Sequence, residues 1–331
     1  MQGEIVVFFT GGTIGMRPEA EDRGLVPAED LNKLIKDLDF HLAGIKLRAV
    51  YFGNRPSPHM TPELMFDLGR QIDWVLAEPG VLGAVVLHGT DVLIESAFMA
   101  DVMISSSKPV VFTGSMRYYG ELGYDGLRNL LGGLKACLLP LPPEIGVVLL
   151  MADRFFTARE VAKVNSLNID AFSAPEAGPV GYVAGDAVLL TRMGLLTPTG
   201  RRTIIRPERL ETAVPLVTCY TGMTGEIFNW FRQEGAAGLV LEGFGAGNVP
   251  PGIVPALENL VREGIPVVLT TRCQEGGTWP LYAYPGGGAD LAKRGLIQGG
   301  RLAGPKARIL LMLALGQTRD LAEIANIFSG Y

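Results

Sequence analysis

Residues 5–9, 81–87, 109–113 and 146–151 are apolar almost without interruption. A strand that is apolar along its whole length needs cover on both faces, which is the habit of parallel sheets flanked by helices. The intervening stretches 61–76, 91–103 and 126–137 carry helical patterns. The first of these opens on Thr61, Pro62 and Glu63, a cap, a first-turn proline and an acid in helix-starting order. Residues 180–184 read as a further strand of the same kind. The segment 185–213 breaks the rhythm and reads as a hairpin followed by a polar, Arg-rich connection. Alternation then resumes, with strands expected at 216–219, 238–241 and 266–270 and helices at 224–234 and 252–263. A final helix is expected through "GPKARILLMLALGQT". The expectation is an α/β protein of two doubly wound domains with parallel-rich sheets, a larger one at 1–190 and a smaller one at 213–331, joined by a linker at 191–212.

Composition narrows the function classes. The chain has 331 residues, a formal net charge of -5 and 48% hydrophobic residues, enough apolar material for two cores. An acidic balance without basic blocks argues against a nucleic-acid partner. Three cysteines at wide spacing and three histidines offer neither a disulfide framework nor a metal cluster, so no metal or other cofactor is expected. No window approaches the roughly 18 apolar residues of a membrane span, and no membrane partner is expected. The N-terminal stretch has Glu4, no basic leader and a short apolar run, so the expectation is a cytoplasmic protein.

In open α/β sheets, ligands bind beyond the carboxyl ends of strands. Two expected strands end there on unusual turns. The first runs into Thr10-Gly11-Gly12-Thr13, the second into His88-Gly89-Thr90-Asp91. The glycine turn admits three readings: a plain turn, an anion cradle at a helix start, or the mount for a nucleophilic threonine. It is neither a Walker loop nor a complete dinucleotide fingerprint. Asp91 or Thr90 can equally be a simple helix cap. Lys163, in "TAREVAKVN", reads as a solvated charge unless the crevice needs a base. A threonine hydroxyl is a weak nucleophile until a base takes its proton. A lysine amine can be that base where burial lowers its pKa, with an aspartate to hold it. Thr–Lys–Asp then repeats the logic of Ser–His–Asp with other residue types.

"TGGTIGM" and "HGTD" together resemble the two signature motifs of the bacterial-type L-asparaginases and glutaminases. The likeness extends through "GSMR", "YDGLRNL", "AREVAKVNSLNIDAFSAPEAGPVGY", "GFGAGNVP" and "GPKARILLMLALGQT", so it spans essentially the whole chain. "TGGTIGM" is closer to the cytoplasmic, type I branch. The resemblance implies a two-domain α/β amidohydrolase that cleaves a side-chain carboxamide through an acyl-enzyme and releases ammonia. It implies Thr13 as nucleophile and a second catalytic group of Thr90, Asp91 and Lys163, with Lys163 acting through Thr90. It implies substrate contacts from Gly12, from Ser57 to the α-carboxylate and from Asp91 to the ammonium. Asn248 would come from a neighbouring subunit of a homodimer or homotetramer whose sites lie between chains. The partner implied is a small-molecule amide.

Three departures from the family pattern bear on the substrate. Leu25 stands where family members carry a flap tyrosine, leaving Tyr118 or Tyr119 as replacements or Lys163 to act alone. The acidic residue by which type II members bind the substrate ammonium falls in the run 286–288, which is all glycine. A charged hydrogen bond of that kind is worth about 1.5–3 kcal/mol. Arg55 and Pro56 precede Ser57 where other members have small or acidic residues, and Arg55 is a candidate substrate contact. The same chemistry on another amide, a D-amino-acid amide, a cyclic imide or a lactam is thus a second reading. A non-catalytic amino-acid sensor and an amidotransferase component are alternatives from other classes.

Overall fold

The computed structural model describes residues 3–18, 24–27, 44–192 and 204–331. The chain divides into two compact units, 1–196 and 197–331. Half of the expected linker, at 193–203, lies outside the described residues.

In the first unit, β1 (Glu4–Gly11) leads into a short 3-10 turn (Thr13–Gly15) and a small hairpin of β2 (Met16–Pro18) and β3 (Leu25–Pro27). There follow β4 (Lys46–Arg55), α1 (Pro62–Leu76), β5 (Val81–Leu87), α2 (Leu93–Met103), β6 (Val110–Thr113) and α3 (Gly126–Ala136). Next come β7 (Val148–Met151), β8 (Arg154–Thr157), β9 (Ala162–Lys163), β10 (Phe172–Ser173), β11 (Gly181–Ala184) and β12 (Ala187–Leu190). The main sheet has the order β12-β11-β8-β7-β6-β5-β1-β4. Strands β4, β1, β5, β6 and β7 run parallel, so their carboxyl ends share one edge.

Alternation along these strands builds two buried faces. Ile5, Val7, Phe9, Val85, Leu87, Val111 and Leu150 form one core with Leu130 and Leu134 of α3. The intervening Val6, Phe8, Val86 and Phe112 are equally buried. Helix α1 begins as its sequence indicates, with the Thr61 hydroxyl accepting from the Leu64 N–H at 3.4 Å and Pro62 in the first turn.

Three sequence expectations change. Residues 180–184, read with the parallel strands, form β11, which runs in their direction but pairs antiparallel with both neighbours, because the chain reverses between β7 and β8 and again before β11. Ala152 and Asp153 make the first reversal with φ of 48° and 62°, the twist a two-residue hairpin demands but without the Asn-Gly signal that reveals it. Strand β4 escapes apolar pattern reading because it is an edge strand with charged outward residues. Its Arg48 pairs with Glu4 and Glu78. The helix at "GPKARILLMLALGQT" is not the last, since Asp320 caps another behind it.

The second unit contains β13 (Leu216–Thr218), α4 (Glu226–Gln233), β14 (Leu239–Gly243), α5 (Val254–Arg262), β15 (Val267–Thr271), α6 (Gly288–Lys293), β16 (Ile297–Gln298), α7 (Gly304–Gln317) and α8 (Leu321–Phe328). Its four strands pair in parallel in the order β13-β14-β15-β16. Phe228, Leu257 and Leu260 from α4 and α5 share a core with Leu241 and Leu269. Helix α7 is buried along most of its length. Among the described residues no helix is long and apolar enough to cross a membrane.

One buried ion pair ties together two elements of the first unit. Arg159, just after β8, lies 3.3 Å from Asp101 of α2, with side-chain exposures of 5% and 3%. Asp101 also accepts from the Val147 N–H at 2.8 Å. Helix α2 follows the HGTD turn, and Arg159 sits shortly before Lys163, so the pair links the supports of both. Replacing Arg159 by Met strands a carboxylate in the interior and is expected to cost about 3–5 kcal/mol of stability. The Asp101→Leu/Arg159→Met double variant is expected to lose less than the sum of the single variants. Chemical unfolding of the four proteins measures this coupling.

Candidate active site

The turns after β1, β4, β5 and β6 meet at the carboxyl edge of the sheet, and glycines let them approach. Gly11 and Gly12 have φ of 109° and 91°, a conformation that side chains resist. A Cβ on Gly12 would lie 2.3 Å from the Gly89 Cα, and one on Gly89 would lie 2.7 Å from the Ser57 Cβ. A Cβ on Gly114 would lie 2.3 Å from the His88 carbonyl oxygen. Gly12 also donates its N–H to the Arg55 carbonyl at 3.1 Å. The glycine turn, the HGTD turn, the Ser57 turn and the start of GSMR are therefore in backbone contact.

This packing separates the two threonines of the first motif. The Thr10 hydroxyl is buried and donates to the Leu87 carbonyl at 3.1 Å, a tie between β1 and β5. Thr13 opens the 3-10 turn immediately after Gly12 and remains partly exposed. Thr10 is thus tied into the sheet, whereas Thr13 keeps partial exposure at the start of its turn.

Lys163 lies on the two-residue strand β9, paired with Phe172 of β10. Its ammonium donates to the Thr90 hydroxyl at 3.0 Å and to the Asp91 carboxylate at 2.7 Å. The lysine side chain is only 16% exposed, whereas that of Asp91 is 59% exposed, so the carboxylate spans from the amine to open solvent. The Asp91 N–H donates to the Ser57 hydroxyl at 3.1 Å. Ser57 itself is buried at the start of a 3-10 turn (Ser57–His59).

The structure brings Gly12, Ser57, Thr90, Asp91 and Lys163 into one connected set, with Thr13 next to Gly12. Arg55 joins that set through its carbonyl, while its guanidinium folds back along β4. A Cβ on Gly53 would meet it at 2.8 Å, and it stands 5.9 Å from the Phe52 ring centroid. Asn248 belongs to the second unit, in the turn after β14, where its Oδ1 accepts from the Gly288 N–H at 3.3 Å. Leu25 is exposed at the start of β3, opposite Pro18, and residues 19–23 lie outside the described residues. Among the described residues no group of three or more His, Cys, Asp or Glu side chains is placed to hold a metal ion.

His88 has a role that its place in the motif does not disclose. Its Nδ1 lies 2.8 Å from the Gly89 carbonyl and its Nε2 lies 2.9 Å from the Ser96 hydroxyl. A carbonyl only accepts, so Nδ1 carries the proton and Nε2 accepts from Ser96. Burial pushes the His88 pKa down to about 4, so the ring is neutral and orients the Gly89–Thr90 peptide rather than carrying protons. Asp125 stands at the N-cap position of α3 but makes no side-chain cap bond there. Instead its carboxylate accepts from the backbone N–H groups of Met116 and Arg117 at 3.1 and 3.0 Å. Nothing in a linear motif distinguishes that long-range use from a local cap.

Residues 4–194 match the family described as Asparaginase, N-terminal, and residues 213–328 match the Glutaminase/Asparaginase C-terminal domain. The chain belongs to the asparaginase family. It is 35% identical over 325 residues to a probable L-asparaginase of Deinococcus radiodurans, covering 98% of this chain and 97% of that protein. It is 31% identical to an L-asparaginase of Bacillus licheniformis, covering 97% and 98%. The crystal structure of a probable cytoplasmic L-asparaginase from Campylobacter jejuni superposes with a TM-score of 0.85 at 29% identity, covering 99% of this chain and all of that one. The family assignment agrees with the two-unit α/β architecture and with the glycine-lined contact of its two signature turns.

The buried histidine carries a pH signature. The unfolded chain protonates His88 near 6.5, whereas the folded protein resists protonation down to about 4. Folding stability therefore falls as pH drops through that window, by about 3 kcal/mol from this group. Urea unfolding is expected to show a His88→Gln variant losing about 3 kcal/mol less than the parent between pH 7 and pH 4.

Proposed function

We propose that this chain hydrolyses a side-chain carboxamide in two acyl-transfer steps, with Thr13 as the nucleophile. The observation that carries this reading is Lys163 hydrogen-bonded at once to Thr90 and Asp91, on a turn packed against the one that holds Thr13. In its neutral form the Lys163 amine can take a proton through the Thr90 hydroxyl. As the Thr13 Oγ bonds to the amide carbon, its own proton leaves through this relay. The tetrahedral intermediate then breaks its C–N bond, and the nitrogen departs as ammonia with the relayed proton. Water attacks the resulting ester through the same relay, breaking the bond to Thr13 and releasing the acid. Net consumption is one amide and one water.

The oxyanion needs backbone donors aimed at it. The Gly12 N–H is committed to the Arg55 carbonyl, so the N–H groups of Thr13 and Thr90 are the donors assigned here. Ser57 holds the substrate carboxylate. Asp91, paired with Lys163 yet largely exposed, receives the substrate ammonium. Asn248 reaches the site from a second copy of the chain, in a homodimer or homotetramer, and the protein works in the cytoplasm.

A second reading keeps the chemistry and changes the amide. Leu25 cannot supply a hydroxyl, and the 286–288 glycines supply no carboxylate. The missing carboxylate favours a substrate less dependent on a free α-amino group than asparagine. Ammonia release from L-asparagine, L-glutamine and a panel of small amides distinguishes the two readings. On the best substrate, Thr13→Ala is expected to lower kcat at least about 1,000-fold, and Lys163→Met at least about 100-fold. Full activity in either variant contradicts its assigned role.

A further inference from the structure

The 3-10 turn that bears Thr13 is too short to satisfy its own carbonyls. Gly12 O accepts from Gly15 N–H at 3.0 Å, and Thr13 O accepts from Met16 N–H. Ile14 O lies beyond these internal bonds, and its side chain is fully buried. The hydroxyl of Tyr124, from the loop between β6 and α3, donates to that oxygen at 2.8 Å. One residue pair further on, the Tyr119 N–H of the same loop donates to Met16 O at 3.2 Å.

Tyr124 is itself held in place. Its ring meets Tyr119 edge-on, with centroids 5.4 Å apart at 76°. It also lies over Gly126, where a Cβ would fall within about 2.3 Å of the phenol oxygen and Cζ. Asp125 anchors the loop by accepting from Met116, Arg117 and the Asn129 side chain. On the opposite side, Gly12 rests against Gly89 and Gly15 against the Phe9 ring. The turn is thus gripped from two directions, and Tyr124 supplies a side-chain hydroxyl to one of them.

We propose that Tyr124 is a positioning residue for the reaction. Its hydroxyl fixes the Ile14 carbonyl and so the direction in which the neighbouring Thr13 presents its Oγ. This rests on the reading of Thr13 as nucleophile. A hydroxyl displaced by a fraction of an ångström still binds substrate but attacks more slowly.

The test uses Tyr124→Phe and Gly126→Ala in the full-length protein, with Thr13→Ala beside them. Tyr124→Phe deletes one oxygen, and Gly126→Ala drives the ring from its seat while leaving the phenol intact. Ammonia release and thermal unfolding are measured on all three. The expected result is a fall in kcat of about 5–50-fold in both loop variants, with KM within about twofold of the parent and a melting temperature within a few degrees of it. Thr13→Ala is expected to be inactive. Unchanged kcat in Tyr124→Phe overturns the proposal. So does a loss that tracks a collapse of the melting temperature, or one carried by KM, because either marks a merely structural residue. Turnover by Thr13→Ala overturns the nucleophile assignment itself, and the positioning role falls with it.

Discussion

The candidate site in the first unit depends on two backbones touching where side chains would forbid it. Gly12 and Gly89 approach so closely that a methyl group on the first would overlap the second. That contact exists because β1 and β5 are adjacent parallel strands ending at the same edge of the sheet. The residue after each glycine is a threonine. Sheet topology brings the two strand ends together, and absent side chains let the two turns pack backbone to backbone. A longer turn or a larger residue at either place would separate them.

Around that contact, charge is unevenly distributed. Lys163 holds a positive group between a buried hydroxyl and a largely exposed carboxylate. His88, the only histidine in the two motifs, is neutral and works by geometry, holding the Gly89 carbonyl. The division follows from burial. A ring sealed beneath the turn loses its proton and becomes a fixed hydrogen-bonding spacer. An amine at the crevice wall keeps both its partners and its access.

The sequence disclosed the parts of this arrangement that are local. Strand β5 was legible to the residue because nothing polar interrupts it, and both glycine turns stood out for their lack of bulk. The likeness to the family motifs supplied what spacing alone left open, the choice of Thr13 and the link to Lys163. Legibility ended where a residue acts over distance. Thr10 and Thr13 look alike in sequence and differ only because Leu87 lies across from the first. Tyr124 contacts a carbonyl 110 positions away, and Asp125, at the start of α3, serves the preceding loop. The edge strand β4 was hidden because its outward charged residues, Lys46 and Arg48, break the apolar run that marks the inner strands.

The central claim is that the glycine-lined contact presents Thr13, and not Thr90 or Thr10, to the amide carbon. Rapid acid quench during turnover, followed by mass spectrometry of the peptides, measures this directly. An acyl increment is expected on the peptide bearing Thr13, confined to Thr13 rather than Thr10 on fragmentation. An increment on Thr90, or steady turnover with no covalent species at any threonine under single-turnover conditions that slow deacylation, would contradict it.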